Sequence, residues 1–179
     1  IPDFIFVTAA SIVSISVLVP FLIEKLDLGF DEGKKFINNI FSFFFILIFG
    51  TSLLTYFLIP YLVPFIFPGL DEAGRTSELI IISRILLLSP ILLGLSNFFA
   101  SITQVYRRFL IYALSPLLYN IGIIIGILFL YPIFGLSGLV LGVIIGAIFH
   151  FSIQIPFVLR QGLLPKFSFF IDFPAIRKV

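Results

Sequence analysis

The chain has 179 residues, 60% hydrophobic and 11% charged, and its 11 Lys+Arg against 9 Asp+Glu leave a net charge of +2. Soluble domains run nearer ~25% charged and ~45–50% apolar, so these charges are too few to cover a soluble globule. A chain this apolar is also excluded from the disordered class. What remains is a polytopic membrane protein, and +2 is too small a charge to point to a nucleic-acid partner.

The sequence holds no Cys, which removes disulfides, thiolate metal sites and Cys nucleophiles. It holds no Met and begins at Ile1, so a piece of a longer protein is expected. The first apolar run lacks a basic n-region and is not read as a signal peptide.

A bilayer core takes about 20 apolar helical residues, and five runs meet that length. They span about 2–23, 36–60 with a Pro-broken continuation to 67, 77–103, 109–131 and 136–158. Strands would leave backbone groups unpaired in lipid, so each run is predicted to be helical. The predicted class is all-α, a transmembrane bundle over 1–159. Residues 160–179 mix Phe and Leu with cations and read as an interfacial linker to a further helix.

The cations are asymmetric. Lys25, Lys34 and Lys35 lie in the loop 24–35, and Arg107 and Arg108 in the loop 104–108. Arg160, Lys166, Arg177 and Lys178 lie in the tail. Arg75 alone lies on the opposite side, and Arg84 lies within the third run. The positive-inside rule then makes those two loops and the tail cytoplasmic.

Along the third run, Ser83, Pro90, Gly94, Asn97, Ser101 and Gln104 fall within an arc of about 80° at ~100° per residue. Such a stripe faces either a neighbouring helix or a water-filled cavity. Arg84 lies off the stripe, ~10 Å along the helix from its outer end. An intramembrane Arg suggests function, and snorkelling to the headgroups is the rival reading. Pro90 and Pro116 each free a carbonyl and permit a kink. Asn120, one turn beyond Pro116, would either satisfy the kink or meet a substrate.

In the last run Gly138, Gly142 and Gly146 recur at spacing four, with Gly122 and Gly126 in the run before it. Small residues so spaced let helices approach closely. His150 is the single His and reads as a satisfied bundle residue. No nucleophile–His–acid set, metal-ligand cluster or phosphate loop is present, so neither an enzyme nor a cofactor is predicted.

Several stretches together resemble the MurJ/MviN family of lipid II flippases, within the multidrug/oligosaccharidyl-lipid/polysaccharide exporter superfamily. Arg84-Ile85-Leu86, Pro90, Gln104, Arg108-Phe109, Ala113, Pro116 and Asn120 follow the order of the family's fourth and fifth helices. Pro64-Phe65-Ile66 through Pro68-Gly69-Leu70 resembles the end of its third. Gly135, Gly138, Gly142, Gln154 and Pro156 resemble its sixth, and Pro2-Asp3 with Val19-Pro20 its second. Where the family's second helix carries arginines and then a Glu-Gly-Ala-Phe-Ser run, this chain has Phe6, Val7 and then Ser11-Ile12-Val13-Ser14.

The resemblance implies a partial first half of a fourteen-helix exporter fold in the bacterial inner membrane. It implies a lipid-linked oligosaccharide substrate, with membrane lipids and the remaining helices of the same chain as partners, and flipping by alternating access. Arg84, Asn97, Gln104, Arg108 and Asn120 are the candidate path or gate residues, and Gly138, Gly142 and Gly146 the helix-packing ones. A related exporter of polysaccharide-linked lipids or drugs, or a non-transporting scaffold for cell-wall synthesis, would share these features.

Overall fold

A computed structural model of the chain describes residues 15–68, 74–169 and 172, with side chains from Leu18 onward. The start of the first predicted span, with Pro2 to Ser14, lies outside the described residues. So do Gly69 to Ala73, Arg177 and Lys178.

The described elements are all helical. They are α1 (Ile15–Asp27), α2 (Phe30–Ile66), α3 (Thr76–Leu86), α4 (Leu88–Val105) and α5 (Phe109–Ile125). A π-helical segment (Gly126–Leu130) leads into α6 (Tyr131–Phe134), and α7 (Leu136–Ser152) and α8 (Ile155–Arg160) follow. Four continuous or kinked helices are long and apolar enough to cross a membrane: Phe30–Ile66, Thr76–Val105, Phe109–Phe134 and Leu136–Arg160. Up-down connectivity brings Lys25, Lys34, Lys35, Arg107, Arg108, Arg160 and Lys166 to one end of the bundle. That end is cation-rich, and the end that holds Arg75 is cation-poor.

The predicted loop 24–35 is mostly helix. Only Leu28 and Gly29 separate α1 from α2. Gly29 takes φ 137°, a region that favours glycine. Asp31 and Glu32 occupy the first turn of α2, where carboxylates complement the positive end of the helix dipole. Gly33 packs on Leu26, so a side chain there would collide across the turn.

Prolines decide where the other helices bend. Pro90 has no N–H for the Leu86 carbonyl, and the helix breaks at Leu87 between α3 and α4. Pro132 likewise leaves the Leu128 carbonyl without its usual donor, and the adjoining turn is π-helical, with Tyr131 N–H bonded to Gly126 O. Pro156 sits in the first turn of α8, just past a break at Ile153–Gln154 that the uniform apolar run 136–158 does not predict.

α4 ends in a two-bond cap. Arg107 N–H bonds to Gln104 O at 2.8 Å and Arg108 N–H to Thr103 O at 2.9 Å. This is the Schellman arrangement, with Arg107 at φ 56° in the place glycine usually takes.

The main core lies toward the cation-rich end. Leu18 and Leu22 of α1, Phe36, Ile40, Phe44 and Ile48 of α2, and Phe98, Phe99 and Ile102 of α4 pack with Val158 and Leu163. Ring pairs Phe41–Phe98 at 5.4 Å and Phe99–Phe151 at 5.1 Å join these helices, within the range of favourable aromatic geometry. A smaller cluster of Ile59, Val63 and Leu87 ties α2 to α3 at the other end.

α5 and α7 meet through glycine. A Cβ on Gly126 would stand 2.6 Å from Gly142 Cα, and one on Gly142 2.9 Å from Gly126 N. Gly122 is set against Gly146, Gly138 against Leu130 and Tyr131, and Gly146 also against Tyr119. Backbones in such contact exclude any side chain. The opposite face of α5 exposes Leu110, Leu114, Leu117, Ile121 and Ile124, continued by Leu128 of the π-helical segment.

Candidate functional site

Among the described residues three polar features interrupt this apolar bundle. The first is a buried network joining α4, α5 and α7. Ser96 Oγ lies 2.6 Å from His150 Nδ1 and donates to His150 O at 2.9 Å. Gln154 Nε2 donates to the same Oγ at 2.7 Å and to Ser115 Oγ at 3.3 Å. Ser115 in turn donates to Ile111 O at 3.0 Å. A hydroxyl has one proton. It serves either the carbonyl or Nδ1, and the imidazole tautomer follows from that choice. The Tyr119 ring meets the imidazole edge-on, with centroids 6.3 Å apart. Gln154 reaches inward because it stands at the break between α7 and α8. Its Oε1 is buried without a partner among the described residues.

The second feature is a groove of about 460 Å³ between α2 and the α3–α4 pair, lined by Phe49, Ser52, Tyr56, Arg84, Leu88 and Ile91 among others. Pro60 has no N–H, so the Tyr56 carbonyl loses its helical partner. Arg84 Nε donates to that carbonyl at 3.3 Å. The guanidinium lies over the Tyr56 ring, 4.4 Å from its centroid. α2 therefore passes through Pro60 unbroken, with a side chain of α3 replacing the missing donor.

The third feature is at the cation-rich end. The chain after α8 runs extended along the first turns of α2. Lys166 N–H bonds to Asn38 Oδ1 at 2.7 Å and Ser168 N–H to Ser42 Oγ at 2.9 Å. Asn39 exchanges two bonds with the Asp172 backbone, at 2.8 and 2.9 Å. A polar cavity of about 400 Å³ opens beside it, lined by Lys25, Glu32, Lys35, Asn38, Asn39 and Asp172 among others. The Lys35–Glu32 pair, at 2.7 Å, lies on its rim.

The residues singled out from sequence are distributed among these regions. Asn97 and Gln104 are seven residues apart and share one face of α4. Among the described residues Asn97, half-buried, has no hydrogen bond, and Gln104 Nε2 is buried without a partner. Arg108 is exposed just beyond, at the turn into α5. Arg84 is ~20 Å from Asn97 along the helix pair, in the groove. Asn120 is exposed on α5, where Nδ2 donates to Pro116 O at 2.9 Å. That carbonyl is not the one Pro116 frees, which belongs to Tyr112. Within the stripe, Gly94 abuts Phe44 and Ile48 of α2, and Ser101 bonds to its own helix at Phe98 O. Gly138, Gly142 and Gly146 lie in the α5–α7 seam.

Sequence reasoning missed Ser96, Ser115, Ser52, Tyr56, Asn38 and Asn39. A lone Ser or Tyr in a membrane helix carries no signal of its partner. The adjacent Asn38-Asn39 pair at a span's edge was a usable one. Among the described residues no three His, Cys, Asp or Glu side chains cluster to hold a metal.

The family model described as lipid II flippase MurJ matches residues 1–179. The chain belongs to the lipid II flippase MurJ family. It is 35% identical over 85 residues to a protein of Borreliella burgdorferi named a probable lipid II flippase MurJ. That match takes in 48% of this chain and 17% of the relative's length. In this MurJ-family chain, the helices long enough to span a membrane and the polar residues between them are features of a multi-pass membrane protein.

Proposed function

We propose that the full-length protein containing this segment moves a lipid-linked oligosaccharide of the lipid II kind across the bacterial cytoplasmic membrane by alternating access. Two helix bundles rock about a central path. The sugar headgroup crosses through that path while the polyprenyl tail stays in lipid. The family match over all 179 residues carries this reading. The polar face of α4 supports it, because Asn97 and Gln104 have no partner among the described residues. Amide groups left unpaired in an apolar setting are costly unless something supplies a partner. A passing sugar headgroup would supply one.

In this reading Asn97 and Gln104 contact the headgroup, Arg108 meets it at the cation-rich mouth, and Asn120 borders the path. The cation-rich end faces the cytoplasm. The break at Leu87 before Pro90 and the glycine seam between α5 and α7 let the helices shift against one another, while α5 runs unbroken through Pro116.

Headgroup translocation by the full-length protein in vesicles tests it. Wild type accelerates flipping of a lipid-linked sugar. Asn97→Leu combined with Gln104→Leu slows it by about tenfold or more, as does Arg108→Glu. The Leu pair leaves the fold intact, since an apolar replacement of unpaired polar groups is nearly neutral. No acceleration for any lipid-linked sugar overturns the proposal and leaves the scaffold reading. Acceleration confined to drugs or capsule precursors assigns the related exporter instead.

A further inference from the structure

The groove beside Arg84 is built like a lipid site, and we infer that it holds a phospholipid of the leaflet at the cation-poor end. The inference is independent of transport and rests on the chemistry of the walls.

Consider first the polarity along the groove. α2 runs from the cation-rich to the cation-poor end and α3–α4 runs back. Tyr56, Ile81 and Arg84 therefore lie at the mouth nearer the cation-poor end. Phe49, Leu88 and Ile91 lie deeper, toward the middle of the bundle. A charged mouth over an apolar slot matches an amphiphile with its headgroup outward and its chain inward.

Arg84 supplies the charge. Its Nε is engaged by the Tyr56 carbonyl, and one guanidinium face lies on the Tyr56 ring. The ion pairs among the described residues are Lys25–Glu24 and Lys35–Glu32, so no described carboxylate neutralises Arg84. The Nη donors remain for an anion, and a guanidinium fork suits phosphate oxygens.

Ser52 supplies the second polar contact. It is 3% exposed, it lines the groove, and its Oγ is buried with no partner among the described residues. It stands one helical turn, ~6 Å, deeper than Tyr56. A phospholipid has acceptors at just this succession: phosphate oxygens first, then the ester carbonyls below them, then alkyl chains. Ser52 Oγ–H donates to an ester carbonyl while Arg84 holds the phosphate. The groove, about 460 Å³, takes one end of such an amphiphile, with the rest of its chains in the surrounding bilayer.

The full-length protein, reconstituted in vesicles of equal phosphatidylglycerol and phosphatidylcholine, provides the test. Lipids retained after gentle extraction are counted by native mass spectrometry. Wild type retains phosphatidylglycerol in preference. Arg84→Gln removes that preference, with a fall of about tenfold, and Arg84→Lys keeps part of it. Ser52→Ala lowers retention of both lipids, since both carry ester carbonyls. Unchanged phosphatidylglycerol retention in Arg84→Gln overturns the inference.

A second measurement does not depend on losing the Arg. This segment has no Trp, so Leu53→Trp in the full-length protein reports on the groove wall. Phospholipid brominated on its acyl chain quenches the added fluorescence if lipid fills the slot. Absence of quenching means that protein covers the groove and overturns the inference. Displacement of phosphatidylglycerol by a polyprenyl diphosphate at equal concentration assigns the groove to substrate, and also overturns it.

Discussion

Replacing Gly142 by Ala tests the close approach of α5 and α7. The added Cβ would stand 2.9 Å from Gly126 N and against Gly126 Cα. Carbon contacts settle at about 3.5–4.0 Å, so the helices must part by roughly 1 Å. A radial gap of that size forfeits about a quarter to a half of each contact's attraction. The facing atoms are backbone on both sides and have no rotamer to turn away. Overpacking of this kind costs about 1–3 kcal/mol.

Ala also gains up to ~1 kcal/mol over Gly from helix propensity, which would mask part of that cost. Gly50→Ala is the matched control, since nothing lies within 4 Å of a Cβ there. Both substitutions carry the propensity gain, and only Gly142→Ala carries the clash. Reversible unfolding of the full-length protein in mixed micelles should place Gly142→Ala about 1–3 kcal/mol below Gly50→Ala. A gap under about 0.5 kcal/mol, the scatter of ordinary surface changes, would refute the glycine seam.

Other expectations follow from single contacts. Pro60→Ala gives the Tyr56 carbonyl its helical donor back, so Arg84→Gln should destabilise the wild type more than the Pro60→Ala variant. A double-mutant cycle on unfolding should return a coupling of about 1 kcal/mol, and zero coupling would remove the assigned capping bond. Ser96→Ala strands His150 Nδ1 and weakens the hold on Gln154, at about 1–2 kcal/mol of stability; an unchanged midpoint would disprove the network. Asn39→Ala removes both bonds to Asp172. Limited proteolysis within 163–172 should then speed up roughly tenfold, taking about 0.5–1.5 kcal/mol per bond, while equal rates would contradict the docked tail.

Much of the helical plan is readable from local composition. A span reveals itself by twenty apolar residues because lipid offers no partner for a bare backbone. The grouping of Lys25, Lys35, Arg107, Arg108 and Arg160 at one end needs only the count of crossings between them. The α4 stripe also follows from helical period alone, and it isolates Asn97 and Gln104. It does not distinguish them from Gly94, which packs on α2, or Ser101, which bonds within its own helix. That distinction depends on which neighbour stands at each angle around the axis.

The chain's apolar, weakly charged composition by itself determined a membrane bundle, its crossings and its charged end, because hydropathy and charge act residue by residue. Tertiary structure alone decided the pairings. Arg84 answers a carbonyl freed by Pro60 on another helix, and Ser96 finds His150 and Gln154 more than fifty residues away. Asn38 and Asn39 hold a tail more than a hundred residues downstream. Each pairing requires two helices to share a depth and a rotation at once. Those quantities belong to neither helix taken alone.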